Sequence, residues 1–239
     1  MFTFVIPAYN EENWIGRSVR KIHETADACG LSYEIIVVDN RSTDRTRMVA
    51  EEAGAKVVEE SERQIARARN RGGRAASGSF LVFVDADTLV SERLIAETAK
   101  RLRSGEVVGG GALIASDQTD ATMKFGLDVW NTISRRFRLA AGSFVFCRRD
   151  VFQSIGGFNE DLYATEELDL SLRLKRRGRR LGMSFDIIEE SVVTSARKTS
   201  WYSDWQLMLR FLMVLFMPWA IYYRSLCGFW YDRPDEGAG

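Results

Sequence analysis

Short apolar runs alternate with helical patterns through the first hundred residues, and this alternation restricts the fold more than any other feature. The apolar runs lie at residues 2–6, 34–38, 56–58 and 80–84, and the helical patterns lie at 13–28, 43–53, 62–76 and 92–102. Continuous apolar strands separated by helices are typical of a parallel sheet that is covered on both faces. The sequence therefore predicts an α/β fold with a mostly parallel, Rossmann-like central sheet flanked by helices.

Three of the predicted strands are followed directly by polar loops that carry carboxylates. These loops cover residues 7–11, 39–44 and 85–87. In open α/β sheets, ligands bind outside the carboxyl ends of the strands. We therefore expect the three loops to meet at one binding site.

Asp85 and Asp87 follow the apolar run at 80–84 and are separated by Ala86 alone. Two carboxylates at this spacing can reach one hard cation together, because Mg²⁺ and Mn²⁺ prefer oxygen ligands and a diphosphate can supply the remaining oxygens. The alternative is structural, since Asp87 is also placed to cap the next helix.

Two further polar features accompany the first half of the sheet. Asp39 ends the second strand, where its carboxylate can accept hydrogen bonds from a ribose or a base, or can simply be a turn residue. Asp44 is interpreted as a cap of the next helix. The third helical pattern carries five arginines that can reach a diphosphate, although a solvated face accounts for most of them. They are Arg63, Arg67, Arg69, Arg71 and Arg74.

The second half of the chain has a less regular pattern. It predicts strands at 107–115, 142–147 and 186–193 and helices at 120–139, 150–155 and 166–177, the last ended by Gly178. Glu166 and Glu167 open that last helix, where acidic residues favour the helix dipole. The functional alternative is a general base that deprotonates an acceptor hydroxyl. Asp169 and Arg173 are expected to pair across one turn.

Composition excludes several kinds of site. Among 239 residues, 33 Lys and Arg balance 33 Asp and Glu, so no net charge favours nucleic acid. Three widely separated cysteines and one histidine, His23, give no zinc-binding pattern and fit a reducing, cytoplasmic compartment. The first residues have no basic region before their apolar run, so we expect a strand there and not a signal peptide.

Residues 201–239 form an aromatic, apolar tail. Its uncharged stretch, residues 211–223, is too short to span a bilayer. A helix at the membrane interface, a helix packed on the core and an interface between copies of the chain all fit this stretch. Peripheral contact with the inner face of the membrane and homo-oligomerisation therefore both stay open. Pro218 is expected to kink the segment.

Six segments occur in a familiar order: FVIPAYNE at 4–11, VVDNRSTD at 37–44, ARNRG at 68–72, VFVDAD at 82–87, GGFNE at 156–160 and EELDLSLR at 166–173. Together they resemble the family 2 glycosyltransferases, which have the GT-A fold. The resemblance covers about residues 2–180. It implies an inverting, hexosyl-type transfer from a UDP- or GDP-sugar that depends on Mg²⁺ or Mn²⁺.

The resemblance also implies roles for individual residues. The donor would contact Pro7, Ala8, Tyr9, Glu11, Asp39, Arg69, Asp85, Ala86 and Asp87. Asp87 would ligate the metal, with Asp85 as a second ligand. The family's base is the second residue of a Glu-Asp pair, which here is Glu167, and because glutamate replaces aspartate, Glu166 stays an alternative. A downstream histidine near the metal, seen in some GT-A enzymes, is absent, and Arg197 with Lys198 is expected to replace it as a cation pair for the diphosphate. The alternative is an ordinary exposed basic loop.

These features predict a glycosyltransferase domain at residues 1–200, with a nucleotide-sugar half at 1–104 and an acceptor half at 105–200, followed by the tail at 201–239. The acceptor would be a carbohydrate, a small molecule or a lipid-linked hydroxyl. One alternative is a sugar-nucleotide pyrophosphorylase or nucleotidyltransferase, which would need a glycine-rich basic loop where residues 7–13 stand. The other is a non-catalytic protein that binds nucleotide sugars, against which the acidic residues at 85, 87, 166 and 167 argue.

Overall fold

A computed structural model describes residues 1–117, 121–195 and 218–231. Within these ranges the chain forms eight strands and eight helices. The strands are β1 Phe2–Ala8, β2 Tyr33–Asp39, β3 Lys56–Glu59, β4 Phe80–Val84, β5 Thr88–Leu89, β6 Val107–Ser116, β7 Phe144–Arg148 and β8 Ser184–Thr194. The helices are α1 Ile15–Ala28, α2 Thr46–Glu52, α3 Ile65–Ala75, α4 Glu92–Ser104, α5 Ala121–Phe137, α6 Arg149–Ser154, α7 Glu166–Leu181 and α8 Gly228–Tyr231, with 3₁₀ turns at Pro218–Tyr222 and Arg224–Leu226.

The strands form one sheet in the order β3-β2-β1-β4-β7-β6-β8-β5. β1 pairs in parallel with β2 and β4, β2 pairs in parallel with β3, and β6 pairs in parallel with β8. β7 runs antiparallel to both of its neighbours, and the two-residue β5 runs antiparallel to β8. The prediction of a mostly parallel sheet is confirmed, and β1, β2 and β4 are neighbours as the convergence of their loops requires.

The sheet is buried on both faces, which explains why its strands are continuous apolar runs. Successive side chains of a strand point to opposite faces, and β1 shows this directly. Phe4 and Ile6 belong to a core that also contains residues of α1 and α4, whereas Val5 belongs to a second core with residues of α3. Both cores are therefore built from the same strands.

Close packing of α3 on the sheet depends on Gly72. A Cβ atom there would lie 2.2 Å from Cγ1 of Val5 and 3.0 Å from Cγ2 of Val38. The absence of a side chain at this position allows α3 to contact both β1 and β2. This packing brings Arg69 of α3 beside Asp85, at the carboxyl end of β4.

The predicted end of α7 at Gly178 is wrong. The helix continues to Leu181 and ends at Gly182, which has the left-handed conformation with φ of 69°. Gly178 faces the sheet instead, because a Cβ atom there would lie 2.8 Å from Cγ1 of Val108. The glycine thus serves helix–strand packing, and the helix stop is the next glycine along the chain.

The described part of the tail packs against its own chain. The backbone N–H of Tyr163 donates to the carbonyl oxygen of Ile221 at 2.7 Å, and Cys227 and Tyr231 are buried beside Ala164. Most of the stretch expected at a membrane or an interface, residues 211–217, lies outside the described residues, as do Arg197 and Lys198. Among the helices described, none has the length and apolar character needed to cross a bilayer.

Candidate active site

A cavity of about 430 Å³ opens at the carboxyl ends of β1 and β4. Its size lies within the usual range for small-molecule sites. Of the predicted site residues, the ones that line it are Pro7, Ala8, Tyr9, Glu11, Arg69, Asp85, Ala86, Asp87, Glu166 and Glu167. The structure therefore brings the loops after β1 and β4 together, as the parallel sheet predicted, and adds Glu166 and Glu167 at the start of α7.

Asp39 does not line this cavity. Its carboxylate accepts a hydrogen bond from the backbone N–H of Ser42 at 2.9 Å and so orders the loop after β2. The neighbouring Asn40 lines the cavity instead, and its side-chain amide donates to the carbonyl oxygens of Glu60 and Glu62 at 3.1 and 2.6 Å. A donor contact from Asp39 stays a prediction that would need this loop to adjust.

Asp44 has a structural role, although Arg45 and not Asp44 occupies the cap position of α2. Oδ1 of Asp44 accepts a hydrogen bond from the backbone N–H of Thr46 at 2.9 Å, at the start of α2. Oδ2 accepts one from the backbone N–H of Glu12 at 3.2 Å. The carboxylate therefore joins the loops that follow β1 and β2.

Asp87 does not cap a helix. The cap of α4 is Ser91, whose Oγ accepts a hydrogen bond from the backbone N–H of Leu94 at 3.1 Å. Asp87 lies before that cap, is buried, and lines the cavity next to Ala86. The helix-cap alternative for Asp87 is therefore wrong, and its role as a metal ligand stays a prediction.

Arg69 is the centre of a buried ion-pair network. Its Nη1 donates to Oε1 of Glu166 at 2.6 Å, and its Nη2 donates to Oδ1 of Asp85 and to the carbonyl oxygen of Gly142, both at 3.0 Å. Burial disfavours the charged guanidinium, but the carboxylates of Asp85 and Glu166 outweigh this and raise the pKa of Arg69. The residue was predicted to contact the donor directly, whereas these bonds make it first a counter-ion for the site's carboxylates.

Glu166 and Glu167 differ in their surroundings although they are adjacent. Glu166 is buried and ion-paired to Arg69, whereas Glu167 is half-buried and its carboxylate forms no such direct ion pair with the residues that the structure describes. Burial, reinforced by the negative charge of Glu166, raises the pKa of Glu167 to about 8. A carboxyl group with a pKa near the working pH is well suited to accept a proton during a reaction.

Gly142 gives Arg69 and Glu167 the space that they occupy. A Cβ atom at this position would lie 2.9 Å from Nη2 of Arg69 and 3.5 Å from Oε1 of Glu167. Sequence reasoning missed this glycine, whose only signal was its position at the start of the strand predicted at 142–147. Arg63, one of the five arginines considered for a diphosphate, also lines the cavity. The other lining residues that were missed are Asn40, Ile65, Ile114, Trp130, Ala141, Ser143, Thr194, Ser195 and Tyr231.

The tail reaches the cavity through Tyr231. Nη2 of Arg63 donates to the carbonyl oxygen of Tyr231 at 2.5 Å, and the guanidinium carbon of Arg63 lies 3.6 Å from the ring centroid of Tyr9. The Tyr231 ring also packs edge-on against Tyr163 at 5.7 Å between centroids. Residues distant in sequence thus join around the end of β1, and the aromatic tail was the only sequence signal for Tyr231.

The acidic residues fit a divalent cation that shares its ligands with a substrate. No group of three Cys, His, Asp or Glu side chains within the described ranges could hold a metal ion by itself. Mg²⁺ and Mn²⁺ sites of phosphate-transferring enzymes need only one or two carboxylates, because the phosphates supply other oxygens. Asp85 and Asp87 both line the cavity, and Oδ1 of Asp85 is also bonded to Arg69.

A family model matches most of the region that forms this site. The model of Glycosyl transferase family 2 aligns with residues 3–156. This span covers the loops after β1, β2 and β4 together with α3. The chain belongs to this family.

Curated relatives are also glycosyltransferases. Glycosyltransferase AglE of Haloferax volcanii is 25% identical over 200 residues, which are 77% of this chain and 64% of AglE. Dolichol-phosphate mannosyltransferase of Pyrococcus furiosus is 31% identical over 113 residues, which are 45% of this chain and 32% of that protein. The chain therefore spans about one to two thirds of the length of these relatives.

Solved structures with the same fold were determined with donors bound. Mannosyltransferase PcManGT from Pyrobaculum calidifontis, in complex with GDP-Man and Mn²⁺, has a TM-score of 0.62 and 22% identity, and the match covers 81% of this chain and 56% of that one. TarS of S. aureus, in complex with UDP-GlcNAc, has a TM-score of 0.63 and 16% identity over 81% of this chain and 58% of that one. These similarities confirm the predicted GT-A fold.

Proposed function

We propose that this protein transfers a sugar, with inversion, from a UDP- or GDP-sugar to an acceptor hydroxyl, using Mg²⁺ or Mn²⁺. The observation that carries the proposal is that Glu167 lines the same cavity as Asp85 and Asp87. A base and a pair of metal-binding carboxylates are the two parts that a single displacement needs. The donor would bind to the half at residues 1–104, and the acceptor would bind to the half at residues 105–200.

The chemistry follows from the positions of these carboxylates. Glu167 accepts the proton of the acceptor hydroxyl while the oxygen of that hydroxyl forms a bond to the anomeric carbon. The bond from that carbon to the diphosphate oxygen breaks on the opposite face, and the diphosphate leaves with the electron pair. A cation held by Asp87 and Asp85 would neutralise the charge that develops on the diphosphate.

Arg69 supports the division of labour between the two glutamates. Its ion pair with Glu166 compensates one negative charge and leaves that carboxylate committed to the protein. Glu167 then has the proton affinity that a base requires. This contrast favours Glu167 as the base and Glu166 as a positioning residue.

Relatives with different donors leave the nucleotide and the acceptor open. The solved structures named above hold GDP-Man in one case and UDP-GlcNAc in the other. The dolichol-phosphate mannosyltransferase relative fits a lipid-linked acceptor, and the aromatic tail at residues 201–239 suits contact with such a molecule at a membrane surface. A carbohydrate or small-molecule acceptor is equally consistent with the lining of the cavity.

The proposal is tested by product analysis with UDP- and GDP-sugars and Mn²⁺. Asp87→Ala should abolish turnover, and Glu167→Gln should lower kcat by roughly 10²–10⁴-fold with donor binding retained, because a general base contributes about that much. Glu166→Gln should lose less and should affect stability as well, because it leaves Arg69 with one carboxylate fewer.

The products distinguish the competing functions. Transfer releases a nucleoside diphosphate, whereas a pyrophosphorylase consumes pyrophosphate and releases a nucleoside triphosphate. Full activity of Asp87→Ala would refute the assigned metal site, and a larger loss in Glu166→Gln than in Glu167→Gln would exchange the roles of the glutamates. Donor binding without any turnover would indicate a non-catalytic nucleotide-sugar-binding protein.

A further inference from the structure

Three residues that line the cavity each have one buried polar atom without a hydrogen-bond partner in the described part of the chain. One is Nε of Arg69, whose guanidinium already bonds to Glu166, Asp85 and Gly142 through its other nitrogens. The other two are Nε1 of Trp130 and Oγ of Ser143. Both residues line the cavity, and the whole of Ser143 is only 8% exposed. Buried N–H and O–H groups are almost always bonded in folded proteins, so these two exceptions in one cavity indicate groups that bond to a ligand.

The structure fixes both residues firmly. The side-chain amide of Asn131 accepts from the backbone N–H of Ile114 at 3.0 Å and donates to its carbonyl oxygen at 2.9 Å, which ties α5 to β6 next to Trp130. Ser143 lies directly before β7, and its carbonyl oxygen accepts from the backbone N–H of Asp85 at 3.4 Å. The two unpaired atoms therefore belong to positions that the backbone defines.

The order of strands separates Trp130 from the loop after β1, whereas Ser143 lies between the donor loop at residues 85–87 and the base. Ile114, which is bonded to Asn131 of α5, belongs to β6, three strands from β1 in the sheet. At roughly 4.8 Å per strand this is about 14 Å. Ser143 is bonded through its carbonyl oxygen to Asp85 and lies next to Gly142, which approaches Glu167. The pair therefore extends from the place where donor and base would meet towards β6, where an acceptor would lie.

We infer that Trp130 and Ser143 form a subsite for the hydroxyl groups of a neutral sugar or polyol acceptor. An indole N–H can only donate a hydrogen bond, whereas a serine hydroxyl can both donate and accept one. A sugar hydroxyl group can be the partner of both, because it also donates and accepts hydrogen bonds. Arg69, which bonds to Gly142 beside Ser143, is already paired with Asp85 and Glu166, so its charge does not favour an anionic acceptor group there. The inference rests on the proposed function, because it takes Glu167 as the base.

The test uses Trp130→Phe, which keeps an aromatic ring without the N–H, and Ser143→Ala. Thr132→Ala is the matched control, because Thr132 is exposed on α5 and bonds only to the carbonyl oxygen of Asp128 at 2.7 Å. The acceptor probes are methyl glucoside, methyl mannoside and glycerol, with UDP-glucose or GDP-mannose and Mn²⁺. Each test variant should raise the acceptor KM by about 3- to 10-fold, the loss expected for one hydrogen bond, with the donor KM and donor hydrolysis by water within twofold.

A binding measurement separates this inference from the proposed function. The ¹H–¹⁵N signal of the Trp130 indole, assigned by its absence in Trp130→Phe, should shift on addition of the methyl glycosides and should shift less in Ser143→Ala. This readout needs no turnover, so it decides the inference even if the protein transfers no sugar. An unchanged acceptor KM in both variants, an absence of any shift, or a rise in the donor KM instead would each overturn the acceptor subsite. If Trp130→Phe does not fold, the acceptor KM of Ser143→Ala alone decides the inference.

Discussion

At the scale of single residues, the charge balance of the site depends on how three carboxylates are placed around the guanidinium of Arg69. Arg69 neutralises Asp85 and Glu166 through direct bonds of 3.0 and 2.6 Å. Glu167 has no such direct pair among its described contacts, and burial is the main cause of its raised pKa. One arginine thus gives two adjacent glutamates different surroundings, and this difference is the reason for proposing Glu167 as the base.

The raised pKa of Glu167 has a consequence for stability that can be measured. The unfolded chain loses this proton near the ordinary value of 4.5, whereas the folded protein keeps it until about pH 8. The contribution of Glu167 to stability is therefore full below pH 4.5 and is lost as the pH rises through 8. Glu167→Gln cannot ionise, so it should be more stable than the parent by up to about 4 kcal/mol at pH 8 and nearly equal at pH 4.5.

Urea unfolding at a series of pH values measures this difference. Glu52→Gln is the matched control, because Glu52 is exposed and should change the free energy of unfolding by no more than about 0.5 kcal/mol at any pH. A difference for Glu167→Gln that stays constant between pH 4.5 and 8 would mean that the carboxyl ionises normally in the folded protein.

At the scale of secondary-structure elements, the approach of α3 to the sheet decides where Arg69 lies. Gly72→Ala would place a methyl group 2.2 Å from Cγ1 of Val5. We expect this overpacking to lower the free energy of unfolding by about 1–3 kcal/mol. Gly126→Ala is the matched control, because a Cβ atom at this exposed position of α5 meets no described atom within 4 Å. It should raise stability by up to about 1 kcal/mol, and an equal effect of both variants in urea unfolding would contradict the packing role of Gly72.

The elements also show which parts of the site the sequence could predict. β1, β2 and β4 are local apolar runs, so the amino-acid pattern alone indicates the strands and the loops that follow them. Asp87 could be placed in the site for the same reason. Trp130, Ser143 and Tyr231 could not, because their places depend on how α5 and the tail pack against distant strands. Asp39 was predicted in the site but does not line the cavity. Its carboxylate bonds within the turn after β2, and Asn40 lines the cavity in its place.

At the scale of the whole molecule, one sheet joins two groups of elements that each supply half of the cavity. The strands from β3 to β4 bring the loops assigned to the donor, and the strands from β7 to β8 bring residues such as Ile114 and Thr194. The ion pair between Arg69 and Glu166 crosses between these groups, because Arg69 belongs to α3 in the first group and Glu166 belongs to α7 in the second. A ligand that contacts both groups should therefore stabilise the entire fold rather than one part of it.

This coupling predicts that donor and metal raise the melting temperature together. A donor at about 100 times its Kd should stabilise the folded state by roughly 2.7 kcal/mol, which corresponds to a shift of about 5–10 °C for a chain of this size. Thermal unfolding with UDP- and GDP-sugars, each with Mn²⁺ or with EDTA, would show which nucleotide gives the shift. The shift should depend on Mn²⁺ in the parent protein and should lose that dependence in Asp87→Ala, because the carboxylate of Asp87 would link the cation to the fold. A shift of equal size with Mn²⁺ and with EDTA would instead mean that the donor is held by the protein alone.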